Sequence, residues 1–147
     1  MDDIILSSSY SFQINIDDIT DDNEIFYSVE GLSIMFNYSS HYQGGDNNED
    51  NIISSIKTSP LIFKRPLTNI KSGFSNWCIK SLETGLFDPK SINIFILGIN
   101  DEINNHWIAE NAYPIGTKIS TIDIEAKSPI IVEEIHVLYK NLKRVKW

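Results

Sequence analysis

The stretch that decides the fold is WIAENAYP, from Trp107 to Pro114, followed by the apolar run IIVEEIHVLY over residues 130–139. Apolar and β-branched residues dominate both segments, and such residues favour strands. Proline lacks the backbone donor that a central strand needs, so Pro114 is expected to close the first strand. The pattern predicts a strand, a polar crossing and a return strand that stops short of the C-terminus. No side chains in it are spaced for catalysis, which favours a building block over a catalyst.

Length and composition indicate one domain over residues 1–147. Apolar residues make up 41% of the chain and aromatic residues 11%, which excludes a wholly disordered protein. No apolar run reaches the roughly 18 residues of a membrane span, and the first residues lack the basic region of a signal peptide. The single cysteine, Cys78, cannot form an internal disulfide, which fits a reducing cytoplasm. We therefore expect a cytoplasmic environment and no membrane insertion.

Charge divides the chain into two unequal parts. Residues 1–56 contain 11 acidic residues and no Lys or Arg, whereas the chain from Lys57 onward has a net charge of +3. An acidic N-terminal part repels phosphate, so nucleic acid is excluded as its partner. Two interpretations stay open. The acidic residues form a solvated face, or they meet the basic surface of a neighbouring copy in a head-to-tail association.

Alternating apolar and polar residues predict a mainly β fold. The clearest alternation covers residues 10–16 and 32–38, and further strands are predicted over residues 25–30, 56–67, 92–99, 107–113 and 130–139. Residues 43–51 are rich in Gly, Asn and Asp, which is typical of a loop. Six or seven strands are expected, arranged as an antiparallel β-barrel or sandwich.

One helix is predicted on the flank of this barrel, from about Ser72 to Thr84. Ser72 is a suitable N-terminal cap, and Gly85 is a suitable stop. Five residues recur at spacings of three and four and so share one face of the helix: Phe74, Trp77, Cys78, Ser81 and Leu82.

A search for catalytic or metal-binding patterns finds little. His41, His106 and His136 have no metal-ligand spacing. Cys78 lies on the apolar helix face, where a free cysteine acts as a small hydrophobic residue, and nothing in the sequence supports pairing it with a histidine. We expect no catalytic residue, no metal and no cofactor.

Two weaker patterns lie between residues 44 and 57. Asp46, Asn48 and Asp50 have the first spacings of a calcium loop, but Asn51 replaces its glycine and Lys57 replaces its bidentate glutamate. The pair Gly44-Gly45 lacks the rest of any phosphate-binding motif. Both patterns are therefore interpreted as ordinary loop sequence.

Three aromatic residues are expected to form part of the structural core: Trp77, Trp107 and Tyr113. Trp77 anchors the helix on the sheet in this interpretation. Trp107 and Tyr113 are six residues apart, so a regular strand would point both to the same side. The alternative is a sugar-stacking platform, as in a carbohydrate-binding β-sandwich module.

Several short segments resemble, in order, those of one known family. They are FQINI (12–16), SVEGL (28–32), YQGGDN (42–47), FKRPLT (63–68), FSNW (74–77), WIAENAYP (107–114) and VEEIHVL (132–138). The chain resembles the tail tube proteins of contractile phages and of phage-tail-like contractile injection systems, over almost its whole length.

The resemblance implies a small β-barrel with a flanking helix. It implies that six copies form a ring and that rings stack into a tube inside a contractile sheath, enclosing a conduit for cargo. The implied partners are copies of itself and neighbouring tube, hub or sheath proteins, within a phage tail or a released particle. The loop after the Gly-Gly pair is then expected to make the subunit and ring contacts, through Gly44, Gly45, Asp46, Asn47, Asn48, Glu49, Asp50, Asn51, Ile52 and Ile53.

Two departures from the family pattern bear on the chain's place in the tube. Residues 48–56 lack the usual Leu-Pro-Gly turn, and Pro66 stands where the family usually has glycine. A divergent loop would suit an initiator ring that joins the spike hub to the tube, because such a ring must match a different neighbour below it. The other interpretation is a main tube subunit. Both interpretations stay open at this point, beside the carbohydrate-binding module.

Overall fold

The computed structural model describes residues 10–19, 24–42, 44, 49–67, 72–120, 125 and 131–147. These residues form ten strands and one helix: β1 Ser11–Ile16, β2 Glu24–Phe26, β3 Ser28–Glu30, β4 Met35–Tyr42, β5 Glu49–Lys57, β6 Leu61–Pro66, α1 Gly73–Thr84, β7 Lys90–Leu97, β8 Ile103–Ile119, β9 Val132–Leu138 and β10 Asn141–Lys146. The predicted fold class, mainly β with antiparallel strands and one helix, is confirmed.

Eight strands form one antiparallel sheet in the order β2-β1-β7-β8-β9-β6-β3, with β10 added to β8. The long strand β8 connects its two halves. Its first part pairs with β7 and with β10, whereas its second part, from Tyr113 onward, pairs with β9. Consequently β9 and β10 run along one side of β8 as the return arm of a single long hairpin. The two end strands of this order, β2 and β3, follow each other in the chain and are joined by Tyr27, whose backbone N–H donates to the carbonyl of Lys64 in β6, so the sheet closes into a barrel.

The core lies between the inner faces of this sheet and beneath α1. Three aromatic rings form its centre: Phe26, Phe63 and Phe74, with centroids 5.4–5.7 Å apart and tilted or edge-on contacts. Isoleucines of β1 and β7 surround them, including Ile14 and Ile94. Tilted and edge-on ring pairs add to the burial of apolar area, so this cluster joins the helix to both ends of the sheet.

Local signals at both ends explain the position of α1. The side-chain oxygen of Ser72 accepts a hydrogen bond from the backbone N–H of Ser75, which satisfies one orphan donor of the first turn. Gly85 takes a left-handed conformation, and its N–H bonds to the carbonyl of Ser81. The predicted helix and both of its ends are confirmed. Over the described ranges, no helix has the length and apolar character needed to cross a membrane.

One buried cation ties the helix to the sheet. Arg65 of β6 is buried, and its Nε donates to Glu133 of β9 at 3.0 Å. A second guanidinium nitrogen donates to the hydroxyl of Ser75 in α1, and the guanidinium lies 5.4 Å from the ring centre of Phe26. A buried charge is tolerated when it is paired and hydrogen-bonded, which is the case here.

The described residues form ten strands where six or seven were predicted, and three of the differences bear on the site. Residues 49–57 form a strand rather than a loop, because their isoleucines pair with β4 across a hairpin. Strand β8 continues past Pro114 to Ile119, and the pairing with β9 shifts register between Pro114 and Gly116. Prolines are accepted at such irregular positions. Strand β10 is highly charged and gave no apolar signal, so it was missed.

Candidate subunit interface

A free two-stranded hairpin is the most exposed element of the described chain. Strands β4 and β5 pair antiparallel with each other and form a sheet of their own. At roughly 3.4 Å per residue, the eight residues of β4 extend for about 27 Å. Every described side chain from Asp50 to Pro60 is exposed. An isolated two-stranded hairpin is only marginally stable in water, so we expect this hairpin to pack against a partner surface.

One face of the hairpin is apolar along half of its length. Phe36 pairs with Ile56, and Tyr38 pairs with Ile53, so the four side chains share one face. Ile53 and Ile56 are three residues apart and would point to opposite faces of a regular strand. A bulge, where the register shifts between Asn37 and Tyr38, brings them to the same side. We call these four residues the apolar face; they are 50–70% exposed.

The outer half of the hairpin is polar. Beyond Tyr38, the Ser40 hydroxyl donates to the Asn51 side chain at 3.0 Å, and His41 pairs in register with Asp50. Between residues 31 and 56 the sequence has three carboxylates and no Lys or Arg. The hairpin therefore has an apolar half near the barrel and an acidic end away from it.

A glycine fixes the base of the hairpin. Gly31, just before β4, has a φ of +95°, a conformation that L side chains rarely adopt. A Cβ at this position would lie 2.4 Å from the carbonyl oxygen of Pro60, just after β5. The chain thus leaves and re-enters the barrel at one point, and only glycine permits that close approach.

The predicted contact residues lie at the end of this hairpin. Gly44 is exposed in the turn, and Gly45, Asp46, Asn47 and Asn48 lie outside the described residues. Glu49, Asp50, Asn51, Ile52 and Ile53 belong to β5, and the last four are exposed. Phe36, Tyr38 and Ile56 are exposed as well, although the sequence pattern predicted a half-buried strand for the first two and the start of the next strand for Ile56. Their alternation was visible, but alternation alone does not distinguish a core face from an exposed face.

The predicted core residues have different surroundings. Trp77 is buried, and its Nε1 donates to the carbonyl of Asp88 at 2.8 Å. Trp107 is also buried, with the guanidinium of Arg144 5.4 Å from its ring centre. Tyr113 is only half-buried and lies outside the core cluster, so its assignment to the core is wrong.

Tyr113 lies outside the core because a residue with a left-handed backbone conformation stands between it and Trp107. Asn111 has a φ of +50°, which reverses the inward and outward alternation of β8. Trp107 and Ala109 point inward before it, and Ala112 and Pro114 are buried after it. Tyr113 therefore faces outward, on the opposite side from Trp107.

A pocket opens beside Tyr113, where the β8–β9–β10 hairpin bends. It has a volume of about 450 Å³. We call it the corner pocket; it is lined by Phe87, Pro89, Asn111, Tyr113, Tyr139 and Lys140. The ring of Phe87 meets that of Tyr113 edge-on, with centroids 5.0 Å apart. Phe87 is 68% exposed, which is high for a phenylalanine and makes the pocket mouth apolar.

Next to the corner pocket lies a basic strand. Residues 135–147 carry four Lys or Arg residues and no acidic side chain. Within the described chain, β10 pairs with β8 only, so its other edge is open. Lys143 forms an ion pair with Glu110 at 2.8 Å, and this hydrogen bond, with a second from Asn141, lowers the pKa of Glu110.

The histidines and their neighbours have structural rather than catalytic surroundings. His106 stacks on Phe95 and contacts Asn93 at 3.1 Å, and its burial lowers its pKa. His136 lies 3.1 Å from the carboxylate of Glu134. Among the side chains that the structure describes, no group of three His, Cys, Asp or Glu residues could hold a metal ion.

A comparison with protein families decides what kind of protein this is. The sequence model of the T4-like virus tail tube protein gp19 matches residues 8–143. The chain belongs to this tail tube family. The resemblance in the short motifs is therefore confirmed, and the family is one of structural tube proteins. No curated protein matches the chain.

Solved structures share the fold of this tail tube protein. A chain in the cryo-EM structure of the anti-feeding prophage (AFP) baseplate matches with a TM-score of 0.83 and 16% identity, over 99% of this chain and 98% of that one. A chain of the PVC extracellular contractile injection system, in the extended sheath–tube complex, matches with a TM-score of 0.74 and 20% identity, over 92% and 88%. Hcp1 from Flavobacterium johnsoniae matches with a TM-score of 0.52 and 8% identity, over 93% and 96%.

Proposed function

We propose that this tail tube protein is a main subunit of the inner tube of a phage tail or contractile injection particle. Six copies close a ring, and rings stack around a conduit for cargo. The observation that carries the proposal is the apolar face of the hairpin, which an isolated subunit leaves in water. In this role the 147 residues act as one unit without catalysis, assembled in the cytoplasm and then retained in the tail or released particle.

Ring closure requires two different surfaces on each subunit, because each copy meets one neighbour on each side. The chain supplies them. The open edge of β10 is basic, and the first 56 residues contain only acidic charges. Opposite charges steer copies into register and disfavour contacts between like surfaces. Salt screens such contacts, so high salt is expected to weaken the ring.

The free energy gained by burying the apolar face is better matched to a closed ring than to an isolated pair of subunits. Full burial of one large apolar side chain contributes roughly 1.5–3 kcal/mol, so four side chains that start 50–70% exposed contribute roughly 4–7 kcal/mol. Association of two proteins costs on the order of 4–15 kcal/mol in lost freedom and ordering. One hairpin contact therefore leaves little surplus, whereas a closed ring engages every hairpin at once.

The two other interpretations have less support. A carbohydrate platform needs aromatic rings on one exposed face, but Trp107 is buried and Tyr113 points the opposite way. An initiator ring would be built on the same fold. The matched solved structures include sheath–tube, baseplate and cap assemblies, so the fold by itself does not favour an initiator.

The test compares two adjacent residues of β4 with opposite orientations. Phe36 lies on the apolar face and Met35 on the other, and they are 50% and 54% exposed. We expect wild type and Met35→Asp to form six-copy rings at low salt, seen by light scattering and negative-stain microscopy. Phe36→Asp should remain monomeric with an unchanged circular dichroism spectrum. A monomeric wild type at high protein concentration would refute the proposal. Rings that form but never stack would favour the initiator.

A further inference from the structure

We infer that the corner pocket of one copy receives the apolar face of a neighbouring copy's hairpin. The inference rests on the proposed function and names the surface that the hairpin contacts. The apolar face and the mouth of the corner pocket are both exposed apolar surfaces formed by large side chains. Such patches mark contact sites when they are contiguous and bordered by polar residues.

The shape of the corner pocket fits side chains rather than a flat surface. Two aromatic side chains, Phe87 and Tyr113, meet edge-on at the pocket, and Tyr139 lines it as well. A volume of about 450 Å³ accommodates more than one side chain of a neighbour. Aromatic anchors in well-packed pockets are where the binding energy of interfaces concentrates. Tyr38, the most exposed member of the apolar face at 70%, is the expected anchor.

The hairpin and the surface that runs from the corner pocket along β10 also have matching sequences of apolar and charged regions. From base to end, the hairpin is first apolar, at Phe36 and Tyr38, and then acidic, around Asp50. From the corner pocket along β10, the surface is first apolar and then basic, from Lys140 to Lys146. With the apolar face in the pocket, the acidic end extends for roughly 14 Å beyond Tyr38, counted as four residues of strand. Placed along β10, it would bring opposite charges together.

The occupant is therefore a second copy of this chain. The same copy's hairpin does not fill the pocket, since its apolar face is exposed in the structure. Another tail protein would need an acidic, apolar segment of the same kind, which the chain already has in its own hairpin. Occupation by such a protein is an outcome that the experiment below distinguishes.

The test is chemical cross-linking between two differently substituted copies. One chain carries Ser40→Cys, which lies next to Tyr38 on the same face of β4, and the other carries Lys140→Cys in the pocket lining and a mass tag, so that Tyr38 and Phe87 stay in place. The two chains are mixed, assembled and treated with a short bismaleimide. Tagged and untagged chains join only between copies. We expect roughly tenfold more mixed dimer than in a matched pair in which Ser39→Cys, on the opposite face of β4, replaces Ser40→Cys, because a docked hairpin holds only the thiol at position 40 near the pocket at high effective concentration. The wild-type chain, whose Cys78 is buried, serves as the blank.

A second measurement uses neighbouring residues of the loop after α1. Leu86 and Phe87 are both exposed, but only Phe87 lines the corner pocket. Phe87→Ser is expected to raise the protein concentration needed for ring formation by roughly tenfold or more, and Leu86→Ser by less than about twofold.

The outcomes separate the inference from the proposed function. Rings that form without excess cross-linking of Ser40→Cys to Lys140→Cys would overturn the inference, leave the function in place and leave the corner pocket to another tail protein. Equal effects of Phe87→Ser and Leu86→Ser would overturn it as well. A loss of assembly in Phe87→Ser without cross-linking in the cysteine pair would assign the pocket to a different segment of the neighbouring copy and overturn the inference. A chain that never assembles would overturn both.

Discussion

Removal of the Phe74 ring should expose how strongly the helix is fixed to the barrel. Phe74 is 1% exposed, and its ring contacts those of Phe26, Phe63 and Trp77 at 5.5, 5.7 and 6.0 Å. Truncation of a buried phenylalanine to alanine costs roughly 3–5 kcal/mol through lost burial and the cavity left behind. Three aromatic neighbours place Phe74→Ala near the upper end of that range. For a domain of this size, the expected fall in Tm is roughly 6–20 °C.

The assay is urea unfolding followed by tryptophan fluorescence, at low protein concentration because assembly adds apparent stability. Ile79→Ala, on the same helix, is the control. Ile79 is 41% exposed, so its truncation should cost less than about 1 kcal/mol. If Phe74→Ala and Ile79→Ala reduce the free energy of unfolding equally, the aromatic cluster does not hold α1 to the sheet and the reasoning fails.

Three further predictions concern Trp107 in β8, Gly31 at the base of the hairpin, and the pair formed by Glu134 and His136. Trp107→Ala should lower the free energy of unfolding by roughly 3–5 kcal/mol, and an unchanged midpoint would refute the burial of that ring. Gly31→Ala should cost at least about 1–2 kcal/mol from its positive φ alone, whereas the exposed Gly44→Ala should be close to neutral in the same unfolding assay. The hydrogen bond with His136 lowers the pKa of Glu134 below its ordinary value of 4.5, so the stability it adds is present above that pH and lost as pH falls through the folded-state pKa. Unfolding midpoints between pH 7 and pH 3 should fall less steeply for Glu134→Gln, and identical slopes would contradict this.

Local signals in the sequence were sufficient for the helix. Ser72 and Gly85 are chemically suited to its two ends, and the apolar spacing defines the buried face. The barrel class followed from alternation in the strands around it. These features depend on neighbours in sequence, so they can be predicted without knowing the fold.

The candidate interface was harder to predict because it depends on where strands lie. Alternation around Phe36 is the same whether its face meets a core or water, and only the separate pairing of β4 with β5 shows that it is exposed. The outward position of Tyr113 depends on the left-handed Asn111, which no spacing rule reports. The corner pocket joins residues from three separate segments, so its existence follows from the topology.

The contact between Gly31 and Pro60 has a consequence for how such proteins diverge. Because the barrel itself holds the two ends of the hairpin together, residues 32–59 can change in length and sequence without altering which barrel strands pair. Under the proposed function, substitutions in this segment are expected to change the neighbours that a subunit accepts while the barrel fold is kept. The hairpin is in this sense an exchangeable module, and a hairpin grafted from one tube protein onto another at these two residues should redirect assembly without a redesigned core.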